Sequence, residues 1–544
     1  MTPERGRPDP SVRRLWQPSG VDVVGSVRGV VMVRRMVGAV VVASVLVAGA
    51  VGCSSDDGDT SSAEGGRSTT QPSDTTGTPS GDGSGTAPER PDGPAATVDR
   101  ELTEGSPFLA AGVAADLDAA GYVEHEYQVS GTAVAYEGDM PDDGAWDLAP
   151  TGETGDYTTR IVVRRPAAAA DANGTVLVEW LNVSGGVDAN PDFAYLAEEI
   201  LRGGYTWVGV SAQHIGIEGG PTAVSLPGAE ALTGQGLVKL APDRYGDLTH
   251  PGDQYAYDLY TQVGRAVRAG ADDLLGGIEP ERVVAVGESQ SAFALTTYAN
   301  GVQPLTRAFD GFFIHSRGGP ALPLAPAAGQ AGMDIAGSLT GEPTTIRTDL
   351  DVPVLQFQTE SDVDGILGFA RARQDDTDLI RTWEVAGTAH VDRFMLGPIA
   401  DTAGCEPDVN AGPHGLVAKA ALRALQTWLV DGTPPPGGPR LRLDGDLAIV
   451  RDDDGIALGG IRTPLVDTPV DALRGDAAPG ASVFCLLAGR TIPLDADALA
   501  ARYPDRAAYL DDFEAAADEA IDAGFVLPDD RDALLALAQP DRIT

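Results

Sequence analysis

Lysine is almost missing from this chain: in 544 residues only Lys239 and Lys419 are lysines, so nearly all positive charge is arginine. Neither lysine follows a glycine, which removes the phosphate-binding loop G-x-x-x-x-G-K and the nucleotide hydrolases built on it. Cysteine is scarce too, 3 residues with no C-x-x-C spacing, and that argues against structural zinc. Basic patches are lacking as well. With a formal net charge of -42, the chain repels phosphate backbones and anionic membrane surfaces, so nucleic acid is excluded as a partner. Against these absences stands a 42% hydrophobic content, enough to fill a sizeable core.

Arg34 and Arg35 precede an uncharged apolar run, "MVGAVVVASVLVAGAVGC", that stops at Cys53. A basic n-region and an apolar h-region shorter than the roughly 20 residues of a spanning helix read as a secretory signal. Ala50, Val51 and Gly52 before the cysteine form a lipoprotein-type box, which makes Cys53 the lipidated first residue of the mature chain. Ala50 departs from the leucine usual at the first box position, and a plain secretory signal or a membrane anchor is the alternative. Residues before Met32 play no part in such a signal, which places the true start at Met32 or Met36. The signal region is thus 1–52. Residues 53–100, rich in Ser, Thr, Gly, Asp and Pro without apolar periodicity, read as a disordered tether, because they cannot bury enough surface to offset chain entropy. With Cys53 taken by lipid, Cys405 and Cys485 remain as an even pair in an oxidising space. A disulfide between them is expected, two unpaired thiols being the alternative.

From about residue 101 to 544 the pattern is that of one large domain. Short continuous apolar runs mark buried strands at 175–181, 206–212, 282–287, 311–315, 352–358 and 379–385. Helical spacing intervenes: Tyr255, Leu259, Val263 and Val267 recur on one face, and Val417, Ala421, Leu425 and Trp428 on another before Gly432. The alternation predicts a doubly wound, mostly parallel α/β sheet. Two Gly- and Pro-rich insertions, near 216–252 and 316–349, follow the carboxyl ends of strands, where open sheets place ligands, and are expected as pocket walls or a lid. A C-terminal extension reads as hairpin and loop material from "PRLRLDGDLAIV" to "GGIRTP", then a helix near "YLDDFEAAADEAIDAG". The triplet Asp452 to Asp454 lacks calcium-loop spacing and reads as a solvated turn.

The stretch "VVAVGESQSAF" ends a buried strand at Gly287 and carries Ser289 into a helix-compatible segment. That is the context of a nucleophile elbow, whose residues two before and two after the serine must be small. Gly287 meets one requirement and Ser291 the other, although G-x-S-x-S alone is a weak signal. The order serine, acid, histidine adds weight. "QTESDVDG" follows one strand and supplies Asp362, with Glu360 second and Asp364 third as the acid; "AGTAHVD" follows the next and supplies His390. His315, directly after a strand, is placed at the pocket wall, and His414, near a helix start, is explained by capping. In such a triad the histidine takes the serine proton and the acid fixes its tautomer. Oxyanion donors are expected from the N–H of Gln290 and from Val183 or Ser184 in "LNVSGGVDANPDF", whose glycines permit tight turns.

These blocks, with "GYVEHEYQVSGTA", "GVSAQHIGI", "DQYAYDLYTQ" and "DGIALGGIRTP", resemble those of the mostly bacterial, often exported alpha/beta hydrolase domain proteins. The resemblance spans nearly all the sequence after the tether. It implies an α/β-hydrolase fold, Ser289 and His390 as catalytic residues, an acid within 360–364, and Ser291 as the family's own elbow form. The expected function is an exported, lipid-anchored serine hydrolase acting on a small-molecule carboxylic ester through an acyl-enzyme. No cofactor or metal is implied, and the membrane is met only through the anchor. A non-catalytic surface lipoprotein of the same fold, or a solute-binding one, is the alternative.

Overall fold

The computed structural model describes residues 90–110, 115–225, 231–270 and 274–544. The signal region, Cys53 and the tether as far as residue 89 lie outside the described residues.

Nine strands form one sheet in the order β1-β2-β3-β5-β4-β6-β7-β8-β9. They are β1 (Thr97–Glu101), β2 (Tyr122–Asp139), β3 (Asp147–Pro166), β4 (Thr175–Trp180), β5 (Thr206–Val210), β6 (Arg282–Glu288), β7 (Gly311–His315), β8 (Val354–Thr359) and β9 (Ile380–Val385). From β5 to β9 every neighbouring pair is parallel, while β1, β2 and β3 add an antiparallel edge. The six strands expected from apolar runs are β4 to β9, shifted by at most two residues at either end. Alternation along them feeds two cores. Val176, Val178 and Ala285 pack against the helices Ala256–Arg268 and Gln290–Thr297, whereas Leu177, Val284 and Val286 pack against Pro191–Gly203 and His414–Asp431. This is a doubly wound sheet with helices on both faces, the α/β-hydrolase arrangement.

Two parts differ from expectation. β2 and β3 form a long hairpin paired from Tyr122↔Pro166 to Asp139↔Asp147, with a register shift between Val134 and Tyr136. Its inward residues include Tyr127, Val129, Ala133 and Ile161. The tether boundary expected at residue 100 is also too late. Ala96 is buried and its N–H bonds the Gln262 carbonyl at 2.9 Å, and β1 pairs with β2, so these residues belong to the fold.

The insertion near 216–252 contains the short helices Gly236–Leu240 and Pro242–Tyr245, and that near 316–349 only Ile335–Ser338. In the C-terminal extension, bridges Leu441↔Gly459, Leu443↔Ile449 and Arg451↔Ala457 make the expected hairpin material, and Arg506–Asp522 is the expected helix. Asp452 Oδ1 accepts from the N–H groups of Asp454 and Ile456, a turn as foreseen. The extension packs Leu441, Tyr509 and Phe513 into one cluster with Val363 and Ala386, beneath the loops that leave β8 and β9. Cys405 and Cys485 are joined by a disulfide.

Candidate active site

The chain crosses from β4 outward to β5 and then returns to β6 on the other side of β4, so the sheet reverses its winding between β4 and β6. A crevice opens at such a point, and the loops following both strands meet there.

At the end of β6 the backbone turns sharply into the helix Gln290–Thr297, and Ser289 holds φ 61° and ψ -124°. Such a conformation is strained for a residue with a side chain and aims that side chain off the strand end. The turn explains its small neighbours. A Cβ on Gly287 would stand 3.0 Å from the Cβ of Ser291, so one of the facing pair must be glycine and the other may be serine.

Ser289 Oγ lies 2.8 Å from His390 Nε2, and His390 Nδ1 lies 2.7 Å from Asp362 Oδ1. His390 sits on the loop after β9, where Gly387 takes φ 72°, a left-handed geometry that favours glycine. Asp362 stands in the first turn of Glu360–Asp364, with its Oδ2 accepting from the Thr359 N–H at 2.6 Å and the Thr359 hydroxyl at 2.8 Å. Burial alone would raise this carboxyl; the His390 charge, its hydrogen bond and the Thr359 donors outweigh burial and hold it below the ordinary value.

The other acids in the segment are placed elsewhere. Glu360 accepts from the N–H groups of Gly387 (2.6 Å) and Gly475 (3.1 Å) and pairs with Arg451 at 2.8 Å, so it ties the loops together. Asp364 accepts from the Ile449 N–H at 3.0 Å.

Gln290 occupies the first helical position, where an N–H has no intrahelical acceptor. In the loop after β4 the expected donors are engaged. The Val183 N–H donates to Gln290 Oε1 at 3.2 Å and the Ser184 N–H to Asn182 Oδ1 at 2.9 Å. Gln290 in turn donates to Gln213 Oε1 at 2.5 Å. The Val183 N–H is thus occupied by the Gln290 side chain, and Ser184 is held in an Asx turn.

His315 ends β7 and His414 opens the helix His414–Asp431, as their sequence positions indicate, but neither side chain faces the solvent. Both are fully buried, and no side-chain cap hydrogen bond closes the start of the helix that His414 opens. Instead Asp192 Oδ1 lies 2.8 Å from His315 Nδ1, His315 Nε2 lies 2.6 Å from His414 Nε2, and His414 Nδ1 meets the Ala389 carbonyl at 3.0 Å. The carbonyl end fixes a proton on His414 Nδ1, so His414 accepts at Nε2 from His315. His315 Nδ1 and Asp192 Oδ1 then share one further proton. Burial drives the same arrangement, pushing Asp192 well up and His315 down to about 3. The row stiffens the residue next to His390 from behind.

The residue that sequence reading passed over is Glu288. It lies within the quoted elbow, and its Oε1 stands 3.2 Å from His390 Nε2. Burial pushes its carboxyl up to about 8, with the His390 charge pulling the other way. For His390, burial pulls the imidazole down, yet Glu288 and then Asp362 push it up to about 9.

A parallel sheet bearing a serine on a strained elbow at its switch point defines a hydrolase of the α/β class. The chain belongs to the alpha/beta hydrolase domain family, whose model matches residues 89–536. No curated protein matches it. Among solved structures it is similar to a chain from a structural analysis of two fungal esterases from Rhizomucor miehei (14% identity, 56% of this chain and 85% of that one, TM-score 0.28). A thermostable esterase from Pseudomonas putida ECU1011 aligns at 13% identity over 58% of this chain and 86% of that one, TM-score 0.30. A ferulic acid esterase from Streptomyces cinnamoneus aligns at 15% identity over 56% and 92%, TM-score 0.28. At such scores the likeness says nothing of substrate.

Proposed function

We propose that this hydrolase cleaves carboxylic esters through an acyl-enzyme on Ser289. The observation that carries the reading is the unbroken contact from Ser289 Oγ through His390 to Asp362. A serine hydroxyl is a poor nucleophile near neutral pH, and here a histidine nitrogen is within reach of its proton. His390 takes that proton as Ser289 attacks the ester carbonyl, and Asp362 holds the tautomer and steadies the imidazolium. The Gln290 N–H and the loop after β4 face the oxyanion. Collapse expels the alcohol, protonated by His390; water, deprotonated by the same nitrogen, then releases the acid.

Export and anchoring through Cys53 belong to the same reading, supported by the signal-like run and by a disulfide suited to an oxidising compartment. An acyl-ester substrate of small size then meets an enzyme held clear of the membrane by its tether.

The test is fluorophosphonate labelling of the purified chain, followed by an ester panel. Labelling of the wild type and its loss in Ser289→Ala are expected. A folded wild type that takes no label leaves the non-catalytic binding protein as the better reading. For the anchor, the N-terminal peptide recovered from bacterial membranes should begin at a diacylated Cys53; a peptide beginning upstream of it overturns the anchor.

A further inference from the structure

We propose that Glu288 is a second acidic partner of His390, sharing a single proton with it, and thereby fixes the pH at which the general base becomes free. The proposal rests on the catalytic reading of His390 for its consequence, although the coupling itself does not. Two oxygens converge on one ring nitrogen: Ser289 Oγ at 2.8 Å and Glu288 Oε1 at 3.2 Å from His390 Nε2. A neutral imidazole with its proton on Nδ1, toward Asp362, accepts at Nε2 from the serine. A protonated one donates there instead, and a carboxylate stands ready to receive it.

Among the described residues, the surroundings of Glu288 offer it no other cation. Its backbone is held by β6 pairing, with Glu288 opposite His315, and by Asn182 Nδ2 donating to its carbonyl at 3.1 Å. Among the described residues, the titratable groups facing the pair are Asp362 after β8, and Asp192 and the Tyr195 hydroxyl on the helix Pro191–Gly203. His315 at the end of β7 and His414 on the helix His414–Asp431 complete the ring, and Asp392 stands beyond Tyr195. None is an arginine or lysine. A carboxylate buried to this degree costs several kcal/mol unless a cation meets it, so a charged Glu288 and a charged His390 come together. The two titrate as one unit.

Two consequences follow for the reaction. In the resting enzyme the pair keeps its proton through neutral pH, and the base is released on the alkaline side. In each transition state the imidazolium that forms has a carboxylate at both nitrogens. Glu288 acts through His390 and does not meet the ester, so it is a positioning residue.

The experiment measures kcat/KM of the full-length chain on p-nitrophenyl acetate from pH 5 to 10. The acid limb of the wild type should lie well above the ordinary histidine value of about 6.5. Glu288→Gln, which keeps size and removes charge, should move that limb down by about one to three pH units. Glu288→Asp, with the carboxylate drawn back, should move it in the same direction by less. Reduced turnover with an unmoved limb means a merely structural role and overturns the proposal. A second readout needs no turnover: in Ser289→Ala the NMR titration midpoint of the His390 imidazole should fall when Glu288→Gln is added, and an unchanged midpoint also overturns it. If the midpoint moves but no ester is cleaved, the ester reading fails and the shared proton stands.

Discussion

Asp362 and Glu360 stand two residues apart on one short helix, yet Asp362 turns to His390 Nδ1 at 2.7 Å while Glu360 turns away to Arg451 at 2.8 Å. Their variants should therefore fail in different ways. Asp362→Asn keeps the packing but permits the wrong tautomer of His390, and kcat should drop by about 10⁴-fold with little change in KM. Glu360→Gln weakens a buried ion pair and the clamp on Gly387 and Gly475, so unfolding should come at lower temperature while kcat stays within about tenfold. Steady-state kinetics and thermal melts on the two variants decide it; equal losses of kcat would remove the distinction.

The elbow and its partners were legible because each rests on a local signal: an apolar strand run, then a residue type at its carboxyl end. The strands β4 to β9 announce themselves in the same way, since a strand buried on both faces is continuously apolar. β2 and β3 were not legible. Their segments mix polar and apolar residues, as in "YVEHEYQVSGTAVAYEG", because each faces the core on one side and solvent on the other, and a register shift at Val134 breaks the alternation. Glu288 and Asp192 were missed for another reason. Nothing in sequence distance brings Glu288 to His390 or Asp192 to His315, and a carboxylate beside an elbow serine reads as a loop charge until burial is known. Ser184 illustrates the limit for backbone donors, since its N–H is taken by the side chain two residues earlier.

Asn182 joins the two halves of the crevice, accepting from the Ser184 N–H and donating to the Glu288 carbonyl at 3.1 Å. Replacing it with alanine unties the loop after β4 from the strand that leads to Ser289, the proposed nucleophile. Misplacing an oxyanion donor by about 1 Å costs on the order of 10²-fold, and the loss should appear in kcat with KM nearly constant. Stopped-flow acylation with p-nitrophenyl acetate isolates the step; an unaltered acylation rate would show that the loop holds its place without Asn182.

Arg160 is fully buried between Glu126 (2.6 Å) and Asp188 (2.9 Å), and its Nε donates to Ser211 Oγ at 2.9 Å. Because Asp188 belongs to the loop after β4, this cation braces the same side of the crevice from below. Arg160→Met leaves two buried carboxylates with one fewer cation, and breaking a buried network in this way costs about 3–5 kcal/mol. Urea unfolding should report a midpoint lowered accordingly with the slope unchanged. A loss below about 1 kcal/mol would mean that Arg244, which also meets Glu126, and the surrounding donors suffice.

The disulfide between Cys405 and Cys485 closes the segment that leaves His390 against the helix Val483–Ala488. Around it Leu396, Ala400, Val409, Phe484 and Ala488 form a small separate cluster, too small to hold the segment by burial alone. The cross-link constrains the unfolded chain over a sequence separation of 80 residues, and a native bridge of this kind contributes typically about 2–4 kcal/mol. The double variant Cys405→Ser, Cys485→Ser should therefore melt several degrees lower, and dithiothreitol should bring the wild type to the same point. Because the segment starts directly after His390, the proposed general base, its loosening should also lower kcat and make the activity more sensitive to temperature. Identical melting of the wild type with and without reductant, under conditions where mass spectrometry finds both thiols free, would leave the bridge without a stabilising role.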